Sequence, residues 1–179
     1  MTASNAIRPN EDEYLPYYGK YIALVPESTP LPALERQLEI MLPQLRSLDE
    51  SQGSIRYAPG KWSIKQVVGH LIDAERVFAY RALRFARADR TALPGFDENT
   101  YAEAGSFERV PLKALIDELE LVRRSTIAMF RALADEAWAR RGTANHAEIS
   151  VRALAFIIAG HGHHHLAILN ERYLANTKV

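Results

Sequence analysis

The sequence of 179 residues contains no cysteine, and this absence removes several classes of functional site. Disulfide bonds, metal sites with thiolate ligands and cysteine nucleophiles are all excluded. Any bound metal ion must therefore be held by histidine, carboxylate or water ligands.

An excess of charge of one sign and a long apolar run are also missing. The 22 basic and 22 acidic residues give a formal net charge of zero, whereas nucleic-acid-binding domains usually have a strongly basic surface. No apolar run approaches the ~20 residues that a membrane helix needs. Residues 1–5 do not begin the basic and apolar pattern of a signal peptide. We therefore expect a cytoplasmic protein without nucleic-acid or membrane partners.

Strand patterns are nearly absent, and apolar residues recur instead at the spacing of amphipathic helices. The four segments with this pattern run from about residue 32 to 48, 63 to 88, 111 to 136 and 150 to 174. Ser63 and Gln66 match a capping box, and Ser150 is a typical N-cap. Pro43 lies inside the first pattern and predicts a kink or break there. The sequence therefore predicts an all-α protein, a four-helix bundle.

Two further segments lie outside these helices. Residues 1–30 contain four prolines with tyrosines between them, which indicates an arm with one short helix, packed through its tyrosines on a single bundle domain of residues 31–179. The connection between the second and third helices, residues 89–110, is long for a bundle, and long connections are often functional. Its candidates for acid–base chemistry or a pocket wall are Asp97, Glu98, Tyr101 and Glu103, although a solvated acidic loop would look the same. Residues 138–149 are expected to form a shorter polar loop.

Four of the six histidines lie between residues 161 and 165, inside the last helical pattern. Leu154, Ile158, His161, His165 and Ile168 keep the 4-3-4-3 spacing of a buried helix face. Two imidazoles therefore occupy positions that usually hold Leu or Ile. A buried polar group without a partner costs roughly 1–3 kcal/mol, and a metal ion bound between the two rings would supply that partner.

Helical geometry separates the members of this run, because successive residues differ by about 100°. His161 and His165 share one face, one turn apart. His164 borders that face and is expected to line the pocket, whereas His163 should point to solvent. His161 and His165 are therefore the predicted pair of metal ligands.

A third ligand must come from elsewhere, and the remaining histidines are His70 and His146. We favour His70, because it lies in the middle of a helix and rigid helices hold ligands better than loops. A hydrogen-bonded core histidine is the alternative. Asp73 could orient His70 or be a solvated surface carboxylate, and Glu75 could be a ligand or form a salt bridge. Three histidines would leave an open coordination position, as in catalytic sites.

Two motifs resemble those of the DinB/YfiT-like superfamily. Residues 57–75, YAPGKWSIKQVVGHLIDAE, resemble its second-helix signature, and residues 159–165, AGHGHHH, resemble its last-helix signature. The resemblance implies an up-up-down-down four-helix bundle, usually dimeric. It also implies a divalent metal, often nickel or zinc, on His70, His161 and His165.

The resemblance further implies a reaction with a small-molecule substrate. Characterised members resemble S-transferases and isomerases that use a low-molecular-weight thiol such as bacillithiol or mycothiol. A metal deprotonates a coordinated thiol, and an external thiol suits a chain without cysteine. The alternatives are a metal-dependent hydrolase and a non-enzymatic, stress-linked metal-binding module.

Overall fold

Helices make up most of the protein in the computed structural model, which describes residues 6–175. The signal-peptide expectation rests on residues 1–5, which lie outside the described residues, as do residues 176–179. In chain order the α-helices are α1 (Gly19–Ile22), α2 (Pro30–Arg46), α3 (Ile64–Ala86), α4 (Glu98–Ala104), α5 (Leu112–Arg131) and α6 (Val151–Ile168). The four long helices, α2, α3, α5 and α6, pack together as a bundle. None of the helices within residues 6–175 has both the length and the apolar character of a membrane span.

Two of the four predicted helix starts are confirmed by their caps. The Ser63 hydroxyl accepts the Gln66 N–H at 3.2 Å at the start of α3. The Ser150 hydroxyl accepts the Ala153 N–H at 3.0 Å at the start of α6. The break expected at Pro43 is absent, and α2 continues to Arg46. Pro43 lies in the last turn of α2, so the backbone hydrogen bond that it cannot donate is lost only near the end of the helix.

Contacts near the helix ends fix the helix directions. Arg46 ends α2 and pairs with Asp117 near the start of α5 at 3.3 Å, so these helices are antiparallel. Lys65 begins α3 and donates to the Glu108 carbonyl just before α5 at 3.4 Å, so α3 and α5 are parallel. The Tyr173 hydroxyl, beyond α6, donates to a carbonyl next to the start of α3 at 2.7 Å, so α6 and α3 are antiparallel.

The directions are therefore up-down-down-up along the chain. The up-up-down-down order that the family resemblance implied was therefore wrong, although the four-helix bundle itself is confirmed. Around the bundle the helices follow the order α6, α2, α5, α3. The connections between α2 and α3, residues 47–63, and between α5 and α6, residues 132–150, each join antiparallel helices. The long connection after α3 instead leads the chain back along the bundle, so that α5 starts beside the start of α3.

The residues before α2 pack against the bundle through apolar side chains. Tyr21, Ile22 and Val25 are buried in its core. At Gly160 of α6 the two backbones approach so closely that a Cβ atom would overlap the Tyr21 carbonyl oxygen. Two 3-10 turns, Glu11–Glu13 and Pro16–Tyr18, precede α1. The boundary at residue 30 stays a prediction.

The expectation of a polar loop over residues 138–149 was wrong, because most of this segment forms a β-hairpin. Strand β1 (Arg141–Ala144) pairs antiparallel with β2 (Ala147–Ser150). Asn145 and His146 turn the chain with positive φ angles of 51° and 64°, which a two-residue hairpin turn requires. Each strand has only four residues, and Asn-His is a weaker turn signal than Asn-Gly, so the sequence pattern did not show it.

The connection between α3 and α5 is attached to this hairpin. The Leu93 N–H donates to the Thr143 carbonyl at 2.9 Å, and the Asn145 N–H donates to the Leu93 carbonyl at 3.0 Å. Helix α4 follows, capped by Asp97, whose carboxylate accepts the Thr100 N–H at 2.8 Å. Asp97 is therefore occupied as a helix cap.

Candidate metal centre

The three histidines singled out from the sequence meet inside the bundle. His70 comes from α3, and His161 and His165 come from α6. The Nε2 atom of His161 lies 3.0 Å from the Nε2 atoms of both His70 and His165. All three side chains are buried.

Hydrogen bonding alone satisfies this arrangement poorly. A neutral imidazole Nε2 offers either one N–H or one lone pair, so the His161 Nε2 can pair well with only one of its two neighbours. A cation would take the lone pairs of all three rings. Two nitrogens that are each ~2.0–2.1 Å from one ion lie about 2.9–3.4 Å apart for ordinary bond angles, and the observed 3.0 Å falls in that range. The donor set and its spacing therefore fit a divalent metal.

Burial keeps these imidazoles in the form that can bind a metal. It lowers the pKa of His70 to about 4. Burial and the neighbouring imidazoles also lower the pKa values of His161 and His165 well below the ordinary range. All three rings are neutral at pH 7, and metal ligation requires this form.

The metal-free protein is expected to lose stability as the pH falls from about 6.5 towards 4. An unfolded histidine binds its proton near pH 6.5, whereas folded His70 does so only near pH 4. The unfolded state therefore binds more protons in this window, and the free energy of unfolding falls with pH, by roughly 3 kcal/mol for His70 alone. Urea unfolding of EDTA-treated protein at pH 7, 6 and 5 measures the slope. His70→Asn should have a shallower slope, and equal slopes in the two proteins would contradict the assignment.

The other histidines have separate positions. His164 is half-buried and packs edge-on against Tyr21 and His165, with ring centres 5.3 and 5.1 Å away. His163 was expected in solvent but is half-buried, and its Nε2 is buried without a hydrogen-bond partner among residues 6–175. Burial lowers the pKa of His163, and the Glu27 carboxylate, which lies between α1 and α2, opposes this shift. His146 is exposed in the hairpin turn.

Neither Asp73 nor Glu75 forms a hydrogen bond with His70 or belongs to the three-histidine cluster. Asp73 is half-buried, and burial raises its pKa. No hydrogen bond joins Asp73 to His70 in the described part of the chain. Glu75 is buried and accepts from the Arg123 guanidinium, with Nε–oxygen distances of 2.8 and 3.0 Å, as its salt-bridge alternative predicted.

This ion pair belongs to a hydrogen-bond network that reaches α6 between His161 and His165. Arg123 also donates to the Gln37 side chain and, at 3.3 Å, to the Leu34 carbonyl. Gln37 in turn lies against Gly162, where a Cβ atom would be 2.5 Å from its amide nitrogen. Gly162, which lies between His161 and His165, therefore lets the network approach the helix backbone.

A cavity of about 300 Å³ opens beside His161. Its walls come from the arm, α3, the α3–α5 connection and the hairpin turn, and they include Tyr18, Tyr21, Phe78, Arg81, Glu98 and His161. The expectation that the long connection reaches the site holds for Glu98. Tyr101 lines a neighbouring hollow instead.

Sequence reasoning missed several residues around the centre. The Trp62 ring lies 4.8 Å from the His70 ring and covers it, and Arg81 and the arm tyrosines line the cavity. Trp62 directly precedes the Ser63 cap, and this was the one local signal of its position. The places of Arg81 and the tyrosines depend on how distant segments pack.

The family model of the DinB superfamily matches residues 33–169, which include all three histidines. This chain belongs to the DinB superfamily. The match runs from α2 into the turn that follows α6, so it covers the whole bundle.

Similar proteins come from bacilli. Two proteins of Oceanobacillus iheyensis, each described as a candidate metal-dependent hydrolase, are 28% and 29% identical to this chain. The alignments cover 69% and 67% of this chain and 71% and 70% of the relatives. A protein of Bacillus cereus with the same description is 27% identical over 69% of this chain and 71% of its own length.

Solved structures show the same fold. YfiT from Bacillus subtilis, described as a candidate metal-dependent hydrolase with an unusual four-helix bundle topology, superposes with a TM-score of 0.66 at 20% identity. The superposition covers 93% of this chain and 94% of YfiT. A mycothiol-dependent maleylpyruvate isomerase superposes with a TM-score of 0.63 at 12% identity, over 76% of this chain and 58% of the isomerase.

Proposed function

We propose that this DinB-superfamily protein is a divalent-metal-dependent enzyme that acts on a small molecule in the cavity beside His161. The observation that carries the proposal is the convergence of three buried imidazole nitrogens, with His161 Nε2 lying 3.0 Å from each of the other two. His70, His161 and His165 would hold the ion, with nickel or zinc as the first candidates for an all-histidine donor set. Three protein ligands leave a position for a reacting group, as in catalytic sites.

When bound, the ion supplies Lewis acidity, which makes a coordinated water or thiol a nucleophile at neutral pH. The protein's own groups shape the space around that position. Burial raises the pKa of Tyr21, so its hydroxyl stays protonated and can donate a hydrogen bond to a ligand. The Tyr17 and Tyr21 hydroxyls are 3.3 Å apart, which holds this donor in place. The arm thus restricts water and orients the substrate.

Two reaction classes fit this site. Thiol S-transfer is the first, since the chain has no cysteine and a low-molecular-weight thiol would supply the sulfur. It is supported by the fold shared with a mycothiol-dependent isomerase. Hydrolysis is the second, and it is supported by the descriptions of the relatives that are 27–29% identical. A cytoplasmic homodimer stays our expectation for the working form.

The experiment begins with protein purified without a tag and loaded separately with nickel, zinc, iron or manganese. Each form is assayed with monochlorobimane and a panel of thiols, and in parallel with carboxylic esters without any thiol. We expect turnover that disappears with EDTA and returns with metal. Dependence on thiol identifies the transferase, and ester cleavage without thiol identifies the hydrolase. Stoichiometric metal with no turnover in either assay would favour a non-enzymatic metal-binding module.

A further inference from the structure

A buried arginine lies in the same cavity as His161. Arg81 is only 4% exposed, yet it lines that cavity. One of its N–H groups donates to the Pro94 carbonyl at 2.7 Å, and its guanidinium interacts with the Tyr18 hydroxyl. Within residues 6–175, no carboxylate forms a salt bridge with it.

The position of Arg81 relative to the histidines follows from α3. Arg81 is eleven residues beyond His70, which is three turns, so both project from nearly the same face about 16 Å apart along the axis. Phe78 lies between them. The Arg81 Cζ atom is 5.8 Å and the His161 ring centre 6.2 Å from the centre of the Phe78 ring. Arg81 and His161 therefore both lie near the Phe78 ring, and all three residues line the same cavity.

The guanidinium of Arg81 has unused donors. Arginine has five N–H groups in a planar fork that matches a carboxylate with two parallel hydrogen bonds. A buried charge without a counter-ion is costly, and this cost favours an anion from outside. Glu98 also lines the cavity, but it is exposed and forms no ion pair with Arg81.

We propose that Arg81 binds the carboxylate of an anionic substrate whose reacting end faces His161. The inference rests on the proposed function, because it names the substrate class of the same site. A cavity of about 300 Å³ is at the small end for ligand sites. The substrate class is therefore small carboxylic acids that bear a second polar group a few carbons away.

Succinamate and its diamide, succinamide, test the proposal because they differ only in whether a carboxylate is present, at nearly equal size. Calorimetric titration of the metal-loaded protein should show that succinamate binds at least ~10-fold more tightly, since hydrogen bonds to a charged group contribute that much or more. Arg81→Gln should reduce this preference to under ~3-fold, and Arg81→Lys should be intermediate because it keeps the charge without the fork. Arg124→Gln, which removes an exposed arginine of α5, should keep the wild-type preference.

A wild-type protein that binds both compounds equally would overturn the proposal without any variant. An Arg81→Gln protein that is less stable but keeps the full preference would also overturn it, and would show that Arg81 serves only to hold Pro94. The metal content of every sample is measured first. If the wild-type protein retains no metal, the proposed function fails, and the same titrations on metal-free protein still decide whether Arg81 binds the carboxylate.

Discussion

His161→Ala is expected to abolish metal binding and any metal-dependent turnover. His161 is the shared member of the cluster, since its Nε2 lies 3.0 Å from the Nε2 atoms of both His70 and His165. Without His161, only His70 and His165 of the cluster remain to hold an ion. Replacing groups that merely orient a ligand typically costs 10–100-fold in metal affinity, so removing this ligand should cost more than about 100-fold.

Elemental analysis after dialysis, together with calorimetric titration of the metal, measures this effect. The matched control is His146→Ala, which removes an exposed histidine in the hairpin turn and should retain one metal per chain. Circular dichroism verifies that both variants are folded. Retention of one tightly bound metal by folded His161→Ala would show that the histidine cluster is not the centre.

Arg123→Met is expected to have the largest effect on stability. Arg123 is among the largest fully buried side chains, and it pairs with Glu75 at 2.8 Å deep in the bundle. Removing one member of a buried pair leaves the other charge uncompensated, which costs about 3–5 kcal/mol. The loss would be of the same order as the whole stability of many small domains.

Urea unfolding compares this variant with two others. Arg124→Met, at the next position but exposed, should change the free energy of unfolding by less than about 0.5 kcal/mol. The double variant Glu75→Met, Arg123→Met removes both charges together and should recover much of the stability lost in the single variant. A double variant no more stable than Arg123→Met would mean that the pair's hydrogen bonds to Gln37 and Leu34, rather than its charge, stabilise the bundle.

The helices of the bundle could be predicted because their signals are local. Apolar spacing placed the four long helices, and Ser63 and Ser150 marked two of their starts. The directions along the chain could not be predicted in the same way, because they depend on where the connection after α3 leads. The hairpin was missed for a local reason, since two four-residue strands and an Asn-His turn give almost no periodic pattern.

The same contrast between local and long-range signals applies to the residues of the candidate centre. His161 and His165 are one turn apart on an apolar face, so helical geometry alone paired them. His70 was identified as a polar residue in the middle of another helix and through the family resemblance. Arg81 and Tyr21 could not be found, because nothing near them in the sequence tells which distant segment they meet.

The separation of the histidines along the chain also has a consequence during protein synthesis. His70 and His161 are 91 positions apart, and the arm that lines the cavity is synthesised before α6. A domain folds as a unit, so it cannot be completed until all of its helices have left the ribosome. Until α6 has emerged, the faces of α2 and α3 that pack against it are uncovered, so an incomplete chain lacks two of the three clustered histidines and exposes apolar surface that chaperones and proteases recognise.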